Sequence, residues 1–294
     1  MRRSDLVASA GHERECPGGA EPAAEEAEQV ERGVVGPEHV LEDHDGGSLA
    51  ERVPEVPEGA FAGGTIAVTP GACARGYRAE SMTIDFAKGR WINAPHRTTV
   101  TTDAVEIVTE PHTDLWQRTY YGFRADDAAA LLVTSDGNFT FTVKASFAYR
   151  RQFDQCGVIV YVDGETWCKA SVELEDAALS RLGSVVTNGG HSDWATTDIA
   201  TPSAMWYRLS RRGPDFLIEA SADGQDFRQL RIFHLHALGE TTAAMGRSDP
   251  ALPPARPVDF GVYACSPQDS SFTARFSDVR LEPCGWKSHG VHES

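Results

Sequence analysis

The chain has 294 residues, of which 41% are apolar and 24% charged, an ordinary composition for a soluble globular protein. A formal net charge of −16 argues against nucleic acid and against anionic membrane surfaces as partners, because both require a basic footprint. We find neither a run of roughly 18 apolar residues that could cross a membrane nor the apolar segment of a secretory signal.

Residues 1–81 differ in composition from everything that follows. They contain 16 acidic residues, 7 arginines and no lysine, and only two of the 26 aromatic residues of the chain. Such a segment cannot bury enough apolar surface to offset the entropy of ordering it, so we expect an acidic, disordered segment. Two readings stay open: a genuine acidic tail, or a mis-assigned start with translation beginning at Met82.

From residue 98 onward, short apolar stretches alternate with turn signals, which is typical of an all-β domain. The clearest case is 139–147, where apolar and polar residues alternate over nine positions. No stretch predicts a long amphipathic helix, and 237–256 has the composition of a surface loop. The predicted strands are 99–109, 139–147, 157–162, 167–174, 206–211, 216–221, 227–233, 260–265 and 272–281.

The hairpin around Asp163-Gly164-Glu165 can be given a register. A three-residue loop places the apolar faces of both strands on the same core, whereas a two-residue loop would not. Side chains at odd positions must then share the opposite face. The predicted cross-strand pairs are Val162 with Thr166, Tyr161 with Trp167, Val160 with Cys168, and Gln155 with Glu173.

Six ordered segments carry a resemblance to a known family. They read TDLWQRTYYGF at 113–123, FDQCGVIV at 153–160, TWCKASVE at 166–173, SVVTN at 184–188 with SDW at 192–194, WYRLSRRG at 206–213, and GVYACSP at 261–267. Together they resemble small proteins of the concanavalin A-like lectin/glucanase superfamily related to the yeast protein described as a regulator of enolase. The resemblance covers roughly residues 85–283 and implies a jelly-roll sandwich of two antiparallel sheets, one concave. We predict that this domain spans 82–284 and that 285–294 form a flexible tail.

The odd-numbered hairpin face predicts a ligand groove on the concave side. Aromatic rings there could stack on a sugar, while charged and amide groups could orient its hydroxyls. Two His/Asp/Trp groups, at 112–116 and 191–194, are interpreted as loops that could close the rim. The alternative is a surface ion pair, a Trp packed under a loop and two local turns. The predicted ligand-binding residues are Trp116, Tyr121, Gln155, Tyr161, Trp167, Lys169, Glu173, Asp193 and Trp194.

We expect no cofactor and no metal. His234 and His236 share a strand face but have no evident third ligand, and none of the six cysteines forms a CxxC pair. Free thiols fit a cytoplasmic protein. Around Glu173, the Glu-x-Asp-x-x-Glu pattern of sandwich glucanases is incomplete, although an acid pair of Glu173 with Asp193 in space stays open.

The sequence indicates three candidate functions, and we expect a binding role more than a catalytic one. The first is a domain that binds a small polar, carbohydrate-like ligand on its concave face. The second is an interaction module that modulates a metabolic enzyme such as enolase, as the resemblance implies. The third is a glycoside hydrolase with a non-standard acid pair.

Overall fold

The computed structural model describes residues 84–242, 254 and 256–287. The predictions for the acidic segment 1–81, for a start at Met82 and for most of the tail therefore lie outside the described residues. Sixteen strands and two short 3-10 helices, Phe86–Lys88 and His236–Leu238, make up this part of the chain. The predicted all-β sandwich of two antiparallel sheets is confirmed.

One seven-stranded sheet, here called the pocket sheet, has the order β1-β6-β15-β8-β9-β10-β11. All its neighbouring strands are antiparallel. Its strands are β1 (Arg90–Ile92), β6 (Ala129–Ser135), β15 (Val258–Cys265), β8 (Gln155–Asp163), β9 (Thr166–Leu174), β10 (Leu179–Asn188) and β11 (His191–Ala200).

The second seven-stranded sheet, the back sheet, has the order β14-β13-β12-β7-β16-β3-β2. A separate two-stranded hairpin is formed by β4 (Leu115–Gln117) and β5 (Arg124–Asp126). The strands of the back sheet are β14 (Arg228–His234), β13 (Asp215–Ser221), β12 (Ala204–Arg212), β7 (Phe139–Ser146), β16 (Thr273–Pro283), β3 (Val105–Val108) and β2 (Thr98–Val100).

The principal core lies between the two sheets and is built from alternate residues of their strands. In β7, Phe139, Phe141 and Val143 are fully buried, and the ring of Phe139 stacks on Phe260 of β15 at a centroid distance of 4.0 Å. Alternation along each strand is what the sequence pattern predicts for a sandwich. Each buried aromatic ring contributes on the order of 2–3 kcal/mol of transfer free energy.

A second, smaller core lies on the outer side of the pocket sheet. It joins Ile159, Trp167 and Tyr263 of the sheet with Leu115 and Trp116 of the β4–β5 hairpin. The hairpin therefore covers part of the outer face and leaves a cavity beside it.

The register of the β8–β9 hairpin follows the prediction at all but the turn. Gln155 pairs with Glu173, Val160 with Cys168, and Tyr161 with Trp167. The predicted pair of Val162 with Thr166 is wrong, because the register shifts after Tyr161 and Asp163 pairs with Thr166. The carboxylate of Asp163 accepts a hydrogen bond from the amide of Glu165 at 2.8 Å, and this local bond stabilises the tighter turn.

Candidate functional site

The floor of the open area on the pocket sheet is an ion pair between two different elements. Lys169 of β9 donates from Nζ to Oδ1 of Asp114, which precedes β4, at 2.9 Å. Burial lowers the pKa of Lys169, but the charge of Asp114 and its hydrogen bond raise it more, so the net direction is upward. Lys169 therefore stays charged, although only 5% of its side chain is exposed.

Beside this pair lies a hydrogen-bonded network of amide, acid and phenol. Gln155 donates from Nε2 to Oε2 of Glu173 at 2.9 Å, and Tyr263 donates its hydroxyl to Oε1 of Gln155 at 3.0 Å. Gln155 also donates to the carbonyl of Phe153 at 3.2 Å, which fixes its orientation. These residues share one face because β8, β9 and β15 pair in the registers given above.

Glu173 is the titratable group of the floor whose pKa lies close to neutrality. Burial raises the pKa of its carboxyl to about 7, against the opposing charge of Lys169. A carboxyl group with a pKa near 7 can donate a hydrogen bond or a proton as well as accept one. Groups with such pKa values are concentrated at functional sites.

Aromatic side chains form the walls above this polar floor. Trp116 and Tyr121 meet edge to face with centroids 5.6 Å apart, and Tyr121 lies 5.8 Å from Phe123. Trp194 of β11 provides a further wall. The cavity has a volume of about 350 Å³, within the range of roughly 300–1,000 Å³ typical of small-molecule sites. Its lining residues are Asp114, Trp116, Tyr121, Phe123, Phe153, Gln155, Lys169, Glu173, Val185, Trp194, Pro267 and Gln268; we call it the aromatic pocket.

The turn of the β4–β5 hairpin is fastened to neighbouring turns of the pocket sheet. Arg118 donates to the carbonyl of Gly190 at 2.7 Å and to Glu165 at 2.9 Å, and Arg124 donates to the same carboxylate at 3.0 Å. Gly190 has a φ of 72°, and a Cβ there would overlap the guanidinium of Arg118. The wall residues of this hairpin are therefore held in place by a specific anchor.

Six of the nine predicted binding residues line the aromatic pocket, and three do not. Two of those three belong to the hairpin face as predicted but lie away from the cavity. Trp167 is completely buried in the outer core beneath the β4–β5 hairpin and donates to the carbonyl of Gly164 at 3.3 Å. Tyr161 packs at the edge of the same cluster. The predicted stacking role of Trp167 is therefore wrong, because its ring has no face left for a ligand.

Asp193 points to the other side of the sheet from Trp194. Both residues lie in β11, where successive side chains alternate between faces, and not in a loop. Asp193 forms an ion pair with Arg231 of the back sheet at 3.2 Å. The prediction that both residues close the rim is therefore wrong for Asp193. The predicted possibility of an acid pair between Glu173 and Asp193 is wrong for the same reason.

Sequence reasoning missed Phe123, Phe153, Val185, Pro267 and Gln268 as pocket residues, and it placed Asp114 only within the rim group 112–116. Asp114 and Phe123 fall within the quoted segment 113–123, so their signal was present. The role of Asp114 depends on meeting Lys169, which is 55 positions later in the chain.

The prediction that His234 and His236 share a strand face is wrong, because β14 ends at His234 and His236 begins the second 3-10 helix. His234 Nδ1 lies 2.8 Å from Oδ1 of Asp215, and its ring meets that of His236 edge to face at 5.0 Å. Within the described residues, no group of three or more His, Cys, Asp or Glu side chains could hold a metal ion. Over the same part of the chain, every helix is too short or too polar to span a bilayer.

Comparisons with known proteins agree with this fold. A family model described as "Protein of unknown function (DUF1349)" matches residues 91–284. "Regulation of enolase protein 1" of Saccharomyces cerevisiae is 29% identical over 214 residues, which cover 72% of this chain and 98% of the yeast protein.

Two solved structures illustrate the range of structural similarity. A functionally unknown protein from Saccharomyces cerevisiae matches with a TM-score of 0.58 and 27% identity, over 69% of this chain and all of that chain. A xylan beta-1,4-xylosidase from Bacillus halodurans matches with a TM-score of 0.45 and 10% identity, over 65% of this chain and 38% of that chain. The latter similarity is too low to inform function.

Proposed function

This chain belongs to the DUF1349 family, and we propose that it binds a small carbohydrate-like ligand in the aromatic pocket. The observation that carries the proposal is a nearly buried ammonium at the bottom of an open, ring-walled cavity. Sugars combine apolar ring faces with hydroxyl edges. The walls and the floor offer both kinds of contact.

Lys169 supports a polar ligand because its hydrogen-bonding capacity is incompletely used. An ammonium has three N–H donors, and among the described residues Asp114 is the acceptor recorded for Nζ. Unmade hydrogen bonds of a buried charged group are costly, so oxygen atoms of a ligand would be bound favourably there. Asp114 and Gln155 offer acceptor oxygens beside it, which suits a group that both donates and accepts, such as a hydroxyl.

A saccharide panel tests the proposal. We expect a set of monosaccharides and short oligosaccharides to include one that raises the melting temperature of the full chain and quenches its tryptophan fluorescence. Trp194→Ala should weaken this binding, because it removes one wall. The matched control is Trp206→Phe, since Trp206 lies in β12 of the back sheet. A panel without any binder, or equal loss in both variants, would contradict the proposal.

Glycoside hydrolysis is a second candidate, favoured by two carboxyl groups in one pocket with unlike surroundings. Asp114 is paired with Lys169, whereas burial raises the pKa of Glu173 to about 7. Hydrolysis of this kind needs one acid that protonates the leaving oxygen and one carboxylate that acts on water or on the sugar. Turnover of aryl glycosides that Glu173→Gln abolishes would support it, and absence of turnover by wild type across the panel would exclude those substrates.

Regulation of a metabolic enzyme such as enolase is a third candidate, which the name of the yeast relative supports. The exposed rings at the mouth of the pocket offer a contact surface. Co-purification of enolase with the wild-type chain, lost in Tyr121→Ala, would favour it. A cytoplasmic location belongs to the same proposal, and the free thiols of Cys156, Cys168, Cys265 and Cys284 support it.

A further inference from the structure

One aromatic side chain beside the pocket is displayed outside it. Tyr120, at the tip of the β4–β5 turn, is 93% exposed, whereas Tyr121 is 57% and Phe123 49% exposed. The ring of Tyr120 meets that of Tyr121 edge to face at 5.0 Å and 87°. The exposed ring is therefore continuous with the wall of the pocket through Tyr121, and most of its surface is accessible.

The backbone that presents this ring is held in an unfavourable conformation. Tyr120 has a φ of 62° and Arg118 a φ of 55°, values that residues other than glycine seldom adopt. The turn is closed by a hydrogen bond from the amide of Gly122 to the carbonyl of Arg118 at 2.7 Å. Strained residues persist where the surroundings fix them, and they are concentrated at binding sites.

The anchor described above makes this presentation rigid. Arg118 bridges the turn to Gly190 and to Glu165, so three separate turns are joined at one point. A preorganised aromatic side chain loses little conformational freedom when a ligand stacks on it. The exposure of the Tyr120 ring and the strain of its backbone both reduce the stability of the fold. Neither would be needed if the pocket alone held the whole ligand.

We propose that Tyr120 is a second stacking position, and that the ligand is an oligosaccharide whose next unit leaves the pocket across this ring. This inference rests on the proposed function and names its ligand class. Arg118 and Arg124 both bind the carboxylate of Glu165, so their guanidiniums are held against the neighbouring turn, while the ring of Tyr120 is the exposed group at the tip. A standard protein interface uses roughly 20–30 residues on each side, far more than this six-residue turn provides.

Calorimetric titration of the full chain with matched saccharide series tests the inference. The probes are glucose, cellobiose and cellotriose, with the corresponding xylose and maltose series. We expect the disaccharide of the binding series to bind about tenfold more tightly than its monosaccharide, the effect of one added aromatic contact. Tyr120→Asn removes the ring and should lower the affinity for the disaccharide to that for the monosaccharide. Asparagine is chosen because it tolerates this backbone conformation. Tyr120→Phe keeps the ring and should keep the difference.

The outcomes separate this inference from the proposed function. A monosaccharide affinity that falls equally in Tyr120→Asn would make Tyr120 a structural residue and overturn the inference. Equal affinity of wild type for monosaccharide and disaccharide would overturn it while leaving the pocket proposal intact. Absence of binding in every series would overturn both. Loss of a co-purifying protein in Tyr120→Asn, with unchanged dependence on saccharide length, would assign the tip to a protein partner.

Discussion

Glu173, at the floor of the pocket, makes the stability of this protein depend on pH. Substituting this one residue should remove the dependence. Burial is the principal cause that raises the pKa of Glu173 to about 7 from its ordinary value of 4.5. Because the folded pKa is higher than the unfolded one, the folded protein binds more protons between these values. Its stability is therefore greater at acidic pH and is lost as the pH rises toward and through 7.

The magnitude follows from the two pKa values. A difference of about 2.5 units corresponds to about 3 kcal/mol, the cost of ionising Glu173 in the folded state. Between pH 5.5 and pH 8.5, a range in which unfolding can be measured, the unfolding free energy should change by about 2 kcal/mol. These are upper values, because the pocket leaves Glu173 partly open to water. Glu173→Gln removes the ionisation and therefore the dependence.

Urea unfolding of wild type and Glu173→Gln across this pH range is the assay. The stability of the variant relative to wild type should rise by about 2 kcal/mol from pH 5.5 to pH 8.5. Glu165→Gln is the control, because hydrogen bonding by Arg118 lowers the pKa of Glu165 and its carboxylate stays ionised across the whole of this range. If the difference in unfolding free energy between Glu173→Gln and wild type does not change with pH, the raised pKa of Glu173 is refuted.

Three further substitutions test separate parts of the site. Lys169→Met leaves Asp114 without its cation and should reduce the free energy of unfolding by roughly 3 kcal/mol and abolish saccharide binding, measured by urea titration and calorimetry. Gly190→Ala displaces Arg118 and should destabilise the fold by more than about 1 kcal/mol while weakening disaccharide binding more than monosaccharide binding; equal weakening would contradict the anchor. Asp193→Asn should leave saccharide affinity unchanged, because its side chain faces away from the pocket, and a clear loss would contradict that placement.

The sequence predicts the β8–β9 hairpin well because strand alternation is a local property. The pairs Gln155 with Glu173 and Tyr161 with Trp167 follow from two apolar faces that must meet one core. The error at Val162 has an equally local cause. The side-chain bond of Asp163 to the turn competes with the loop length that the apolar pattern alone favours.

Burial on the outer face could not be predicted in the same way. Trp167 and Lys169 lie on one face of one strand, yet the β4–β5 hairpin covers the first and leaves the second at the floor of a cavity. That difference depends on a segment more than 40 positions earlier in the chain. Similarly, β11 has few apolar residues and lies at the edge of its sheet, so the sequence pattern does not distinguish Asp193 and Trp194 from loop residues.

The two cores of this molecule separate the framework of the domain from the support of the aromatic pocket. Substitutions between the sheets alter the framework of the domain, whereas the rings of Tyr120, Tyr121 and Phe123 belong to neither core and are exposed. The turn can therefore exchange one ring for another without disturbing the interior. Homologous chains could change their preferred ligand through this hairpin alone, so divergence in this family should be greatest at the tip and least beneath it.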